Sequence, residues 1–114
     1  MVRLILAAAA MLVLTACAAP AEEGASNAAL AEDGRAIAEA QCAGCHSVGE
    51  YGESPNAAAP PLRSVLANHS DEVLAEELIN GIQVTHQMPG FQLNPQGVDA
   101  LIAYLRSIQT SSPD

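Results

Sequence analysis

Five consecutive residues, Cys42-Ala43-Gly44-Cys45-His46, constrain this chain more than any other feature. The spacing C-x-x-C-H is the one that fastens a c-type haem to polypeptide. Each thiol can add to a haem vinyl group as a thioether, and the histidine beside the second cysteine then stands where its imidazole reaches the iron from one face. The motif therefore favours one covalently held haem c, attached through Cys42 and Cys45, with His46 as a metal ligand. Two other chemistries use cysteine pairs at this distance. A structural zinc site needs further ligands, and no second cysteine pair exists. A thioredoxin-like dithiol sits in a βαβ pattern, which this sequence lacks.

The N-terminus bears on where the chain works. Arg3 precedes an apolar run from Leu4 to Leu14, and the run ends in Leu14-Thr15-Ala16-Cys17. That is the build of a secretory signal, and it falls short of the about 20 apolar residues a membrane-spanning helix needs. Residues 1–16 are accordingly set aside from the fold as a signal peptide. Leu-Thr-Ala-Cys resembles the lipobox of bacterial lipoproteins, in which the cysteine is lipidated and becomes the first mature residue. The competing reading is ordinary cleavage nearby, after Ala18 or Ala19. Lipidation leaves a tidy cysteine count: two thiols for haem, one for lipid, and none for a stray disulfide in an oxidising compartment. The expected location is periplasmic, anchored at the membrane through Cys17, with a soluble periplasmic form as the alternative.

Fewer than 100 residues remain after the signal, which suits one small domain whose modest core needs a staple. A porphyrin, as a large apolar body, supplies one. The chain holds no lysine, and Arg35, Arg63 and Arg106 stand against 13 acidic residues. A surface of that sign is repelled by phosphate backbones and anionic lipid, and attracted to basic or locally positive faces of other proteins. Nucleic acid is excluded as a partner on that ground, and redox proteins with a basic docking face are the partners expected.

Residues 17–28 read as the lipidated cysteine and a flexible tether, because Pro20, Gly24, Ser26 and several alanines carry no sustained apolar period. A coil of that length spans roughly 20 Å. Residues 29–110 form the domain, and 111–114 a tail. From Leu30 the series Leu30, Gly34, Ile37, Ala38, Gln41 predicts a helix that runs into the Cys-His motif, with Glu32 and Asp33 in its opening turn. Ser70 as N-cap, with Asp71 and Glu72 behind it, opens a second helix that places Val73, Leu74, Leu78, Ile79 and Ile82 on one face and ends at Gly81. Asn94 as N-cap and Pro95 as first helical residue open a last helix, whose Val98, Leu101, Ile102, Leu105 and Ile108 recur at helical spacing. The glycines and prolines between Ser47 and Pro61 predict a loop, and Arg63 to Asn68 can form one short helix. No strand is required. The fold class is all-α, three to five helices around one haem.

A haem held by His46 leaves the opposite iron position for Met88, His69, His86 or water, since Met11 departs with the signal. Met88 is followed by Pro89 and Gly90 between two predicted helices, where a loop can carry a thioether across the second haem face. A core gap filled by methionine is the plain alternative, and His86 lies two residues away. Local spacing does not choose among them.

Cys42 to His46, then Pro60-Pro61-Leu62, then Met88-Pro89-Gly90-Phe91, then Leu101 to Leu105 occur in an order that resembles the small monohaem class I cytochromes c, over nearly all of residues 30–109. The resemblance implies a small cytochrome c fold and electron transfer as the activity. It implies Met88, the Met before Pro, as the second axial ligand. It also implies a close crossing of first and last helices at Gly34 beside Tyr104. The resemblance makes Pro60 the residue whose carbonyl is expected to accept a hydrogen bond from the proximal imidazole, with its neighbour Pro61 as the alternative. Ala38 departs from the aromatic usual in the family at that place, so the crossing is expected to be thin or filled by Leu101 and Tyr104. Tryptophan is absent, which leaves Tyr51, Arg63 or Asn68 for the polar end of the haem.

If His46 and Met88 occupy both axial positions, no substrate reaches the iron, and the group only passes electrons. Leu62, Leu66, Leu78, Ile82, Phe91, Leu93 and Leu101 are the expected pocket wall, and a thioether ligand in a dry pocket sets a relatively high potential. The alternatives are a haem-based small-ligand sensor or peroxidase-like protein, if the Met88 position opens, and an electron-input subunit of a larger oxidoreductase.

Overall fold

The computed structural model describes residues 21–82, 88–90 and 92–109. Cys17, His86 and Phe91 lie outside these residues. The described chain is helical without strands: α1 (Ala21–Gln41), a 3-10 helix (Leu62–Ala67), α2 (Asp71–Asn80) and α3 (Pro95–Ile108).

Helix α3 is the spine, and its sequence explains why. Asn94 accepts the Gly97 amide at its side-chain oxygen, 2.8 Å, and Pro95 supplies the first helical φ. Val98, Leu101, Ile102, Leu105 and Ile108 are all buried, as their spacing predicts. α3 packs chiefly on α1 and also on the 3-10 helix and α2. The α1–α3 crossing is close because Gly34 has no side chain: a Cβ there would lie 1.9 Å from the Ala100 carbonyl oxygen. Ala38 is fully buried at this contact, and Leu101 and Tyr104 fill beside it. The Tyr104 hydroxyl donates to the Val48 carbonyl at 2.6 Å, tying α3 to the loop after the cysteine motif.

Two expectations change. α1 begins at Ala21, upstream of the helix predicted from Leu30, so residues 21–28 are helical where a flexible tether was read. Alanine and glutamate dominate Ala21–Ala29 and favour helix without tertiary contacts. The exposure of Gly24, Ser26, Asn27, Ala28 and Ala29 agrees with a segment that packs on nothing. α2 also differs. Ser70 caps it by accepting the Val73 amide at 3.3 Å, and Gly81 ends it at φ 92°, as predicted. Only Leu74 and Leu78 are buried, however, while Val73 is 49% and Ile79 41% exposed. The apolar residues of this helix span more than one face, and a ten-residue helix on the rim of the core covers one.

Among the described residues no helix is long and apolar enough to cross a membrane.

Candidate haem site

The helical hydrogen-bond pattern of α1 continues into the cysteine motif. The Cys42 and Ala43 amides both donate to the Ala38 carbonyl, at 2.9 and 3.1 Å. The Cys45 and His46 amides donate to Cys42, at 3.2 and 2.9 Å. This turn brings positions 42, 45 and 46 to one side, since residues three and four apart on a helical turn are neighbours. Cys42 is buried and Cys45 exposed, and neither is disulfide-bonded. Burial pushes the Cys42 thiol above its ordinary pKa, opposite to the lowered thiol of a dithiol redox motif.

His46 is held from the other side. Its Nδ1 donates to the Pro60 carbonyl at 2.6 Å, which decides between the two prolines. The Pro61 carbonyl is used locally, accepting from the Ser64 amide at 3.0 Å and its hydroxyl at 2.8 Å. The loop between is fixed by its own bonds. The Leu62 amide donates to Ser47 at 2.9 Å, the Asn56 amide to Cys45 at 3.1 Å, and Arg63 to the Ser47 hydroxyl at 3.1 Å and the Gly52 carbonyl at 2.8 Å. Gly52, at φ 93°, takes the left-handed turn this loop requires.

Two adjoining lobes open at this point. One, of about 350 Å³, is lined by Cys42, Cys45, His46, Pro60, Met88 and Pro89, together with the small residues Ala58 and Ala59. The other, of about 140 Å³, is lined by Leu62, Val65, Leu74, Leu78, Leu101 and Leu105, with Ile82, His69 and Glu77. Cys42, His46, Pro60 and Met88 line both, so the lobes form one cleft within the size range of cofactor sites. Of the wall expected from sequence, Leu62, Leu78, Ile82 and Leu101 line the smaller lobe, whereas Leu66 and Leu93 line neither lobe and pack half-buried against the core. Val65, Leu74, Glu77 and Leu105 join the lining without having been singled out for it. Leu74 and Leu105 carry a helical period that marks them as core; nothing in the local sequence marks Glu77.

A porphyrin suits this set of side chains. Among the described residues no three of His, Cys, Asp and Glu gather into a metal cage. The walls are apolar, two thiols stand at one edge, and an imidazole and a thioether both border the space.

These features describe a helical protein with an apolar cleft bordered by two thiols, an imidazole and a thioether. The chain belongs to the cytochrome c family: the family model Cytochrome c matches residues 31–109. It is also similar to a cytochrome c-553-like protein of Synechocystis sp., 32% identical over 78 residues that cover 68% of this chain and 69% of that protein. No solved structure matches it. As a member of the family the chain binds haem c covalently and transfers electrons through it, as a carrier rather than an enzyme.

Proposed function

We propose that this protein is a one-electron carrier tethered on the periplasmic side of a bacterial membrane, with a single haem c joined to Cys42 and Cys45, His46 and Met88 as axial ligands, and lipid on Cys17. The observation that carries the ligation is the 2.6 Å bond from His46 Nδ1 to the Pro60 carbonyl, in a cleft that Met88 also lines. With its proton on Nδ1, the imidazole keeps the lone pair of Nε2 for iron. The carbonyl fixes the ring and raises its donor strength, as outer partners of metal-bound histidines do. Met88 offers a soft thioether to the same space. The haem, when bound, supplies a reversible one-electron couple.

Leu62, Leu78 and Leu101 are buried and give the smaller lobe an apolar wall, and Phe91 is assigned to the same wall from the family motif. Low polarity disfavours an added positive charge, so oxidation is harder and the potential relatively high. Cys45 is exposed, which brings one edge of the attachment site to solvent and to a partner. The acidic surface supports partners with a basic face. Arg35 is engaged by Glu39 and Glu32, Arg106 by Asp71, and Arg63 by the loop it clamps.

The test is extraction. Protein matured in cells able to attach haem should keep its haem through acid-acetone treatment, and Cys42→Ala with Cys45→Ala should lose it. Complete release from the unmutated protein would reject the proposal.

A further inference from the structure

Three consecutive carbonyls beside the cysteine motif each have their own donor. His46 Nδ1 donates to Pro60 at 2.6 Å, the Ser64 amide and hydroxyl donate to Pro61 at 3.0 and 2.8 Å, and Gln109 Nε2 donates to Leu62 at 3.2 Å. The last bond comes from 47 positions away, at the C-cap of α3. The same Nε2 donates to the Leu105 carbonyl at 2.8 Å, in the last turn of that helix. Capping α3 accounts for the bond to Leu105 and not for the bond to Leu62. Leu62 and Leu105 both line the smaller lobe, so one half-buried side-chain amide joins the backbones of two wall residues. Leu62 is thereby held at both its polar groups, because its own amide donates at 2.9 Å to Ser47, the neighbour of His46.

Resting on the haem reading proposed above, we infer that Gln109 is a positioning residue for electron transfer: by fixing the Leu62 carbonyl it holds the Pro60 carbonyl on the His46 ring. The two prolines make the link. Each locks its own φ, and Pro61 is extended, at φ −63° and ψ 139°, so Pro60 to Leu62 behaves as a stiff strut. Movement at one end is passed to the other. The buried Leu62 side chain sets the depth of that end, and the Gln109 bond sets the direction of its carbonyl. Without the Gln109 donor the strut can turn, and the bond at Pro60 lengthens or loses alignment, which weakens it steeply. The imidazole then gives its lone pair less strongly, since the outer partner of a metal-bound histidine governs its orientation and basicity. Oxidised iron is stabilised less by a weaker donor, so the potential rises.

The experiment uses the full chain with haem attached and compares the unmutated protein with Gln109→Met, Gln109→Lys and Asn94→Ala. Methionine keeps the bulk of glutamine and has no donor, whereas lysine restores a donor on a long stem. Asn94→Ala weakens the opposite end of α3 by removing its cap, and so controls for lost stability alone. NMR on the reduced protein reads hydrogen exchange at the His46 Nδ1 proton and the Leu62 amide, with the Leu101 amide as the report of global opening. Potentiometry reads the couple. One hydrogen bond shifts a local opening by about three- to tenfold. Gln109→Met should speed exchange at His46 and Leu62 by that factor, beyond any change at Leu101, and raise the potential; Gln109→Lys should return the exchange rates. Asn94→Ala should leave the potential where it is. Exchange at His46 that rises no more than at Leu101 in Gln109→Met would overturn the inference, as would an equal shift of potential in Asn94→Ala. Haem released from the unmutated protein by acid-acetone would instead show failure of the underlying haem reading.

Discussion

Nδ1 of His46 and the carbonyl oxygen of Pro60 lie 2.6 Å apart across fourteen positions of sequence, so the loop that closes the cleft also sets the orientation and tautomer of the histidine. The carbonyl belongs to the backbone, and only a change in loop rigidity can weaken its bond. Pro60→Gly should do so, because glycine frees the φ that proline fixes. Weaker donation from the ring stabilises oxidised iron less, and the potential should rise, with faster exchange of the Nδ1 proton in the reduced protein. Pro61→Gly should change both less. Potentiometry and proton-exchange NMR on the two variants test the order.

What sequence made legible here is what local chemistry controls. Ser70, Gly81, Asn94 and Pro95 bound their helices because caps and breakers act within one turn. The burial of α3 follows from a helical period that leaves little choice, whereas the crossing at Gly34 is what the family resemblance implies, and the structure has it. Pairings between distant residues were not legible. Nothing near Val48 announces that Tyr104, 56 positions away, spends its hydroxyl there, whereas the choice of Pro60 over Pro61 comes from the family pattern, and the bond from His46 goes to Pro60. Val73 and Ile79 show a third limit. Side-chain type said core, but the core offered α2 room for Leu74 and Leu78 only. In the site, the Cys-His motif was plain from sequence, whereas Glu77 reaches the cleft solely because the inner face of α2 does.

Gly34→Ala sets two effects against each other. Alanine favours helix by about 1 kcal/mol over glycine. The added methyl, however, would meet the Ala100 backbone carbonyl at 1.9 Å, a group that cannot rotate away. Overpacking of this kind costs about 1–3 kcal/mol, and more where the neighbour cannot yield, so net of the helix gain the variant should be less stable by about 1–2 kcal/mol. Denaturant midpoints on the haem-bound protein measure it, and an unchanged midpoint would mean that the helices separate freely.

Tyr104 links stability to alkaline pH. Burial foremost raises its pKa, with Arg35 opposing and Glu39, Glu50 and Glu32 assisting. The unfolded chain therefore loses this proton first. Between the ordinary tyrosine value of about 10 and the higher folded value, the folded state binds more protons, and its stability falls as pH rises. Below pH 10 the contribution is fully present. Tyr104→Phe should remove this part of the alkaline decline and cost about 1 kcal/mol at neutral pH, through loss of the Val48 bond. Unfolding curves from pH 7 to pH 12 for both proteins give the comparison.

The axial proposal separates Met88 from His86 by mutation. Met88→Ala should lower the potential and open the iron to carbon monoxide, while His86→Ala should keep a six-coordinate, low-spin spectrum with a methionine-to-iron absorption band. Met88 borders both lobes of the cleft, which is the position a second ligand needs. Loss of the low-spin spectrum in His86→Ala alone would transfer the ligand to His86, and the expected potential would drop with it.

Salt separates the two ways an acidic domain can stay at a membrane. If Leu14-Thr15-Ala16-Cys17 directs lipidation, the mature protein begins at Cys17 and remains in the membrane fraction at high salt, because acyl chains anchor through burial of methylenes that salt does not weaken. Electrostatic adsorption is screened within about 8 Å at physiological ionic strength, and a chain with formal net charge −9 is repelled by anionic lipid in any case. Cys17→Ser should therefore move the protein to the soluble fraction with its haem spectrum intact. The same charge predicts that electron transfer to a basic partner slows as salt rises, since steering by opposite charges is lost. Fractionation in high salt, N-terminal mass analysis and transfer rates across ionic strength are the measurements. Unmutated mature protein found wholly soluble, with an N-terminus after residue 17, would remove the anchor and leave the carrier function in place.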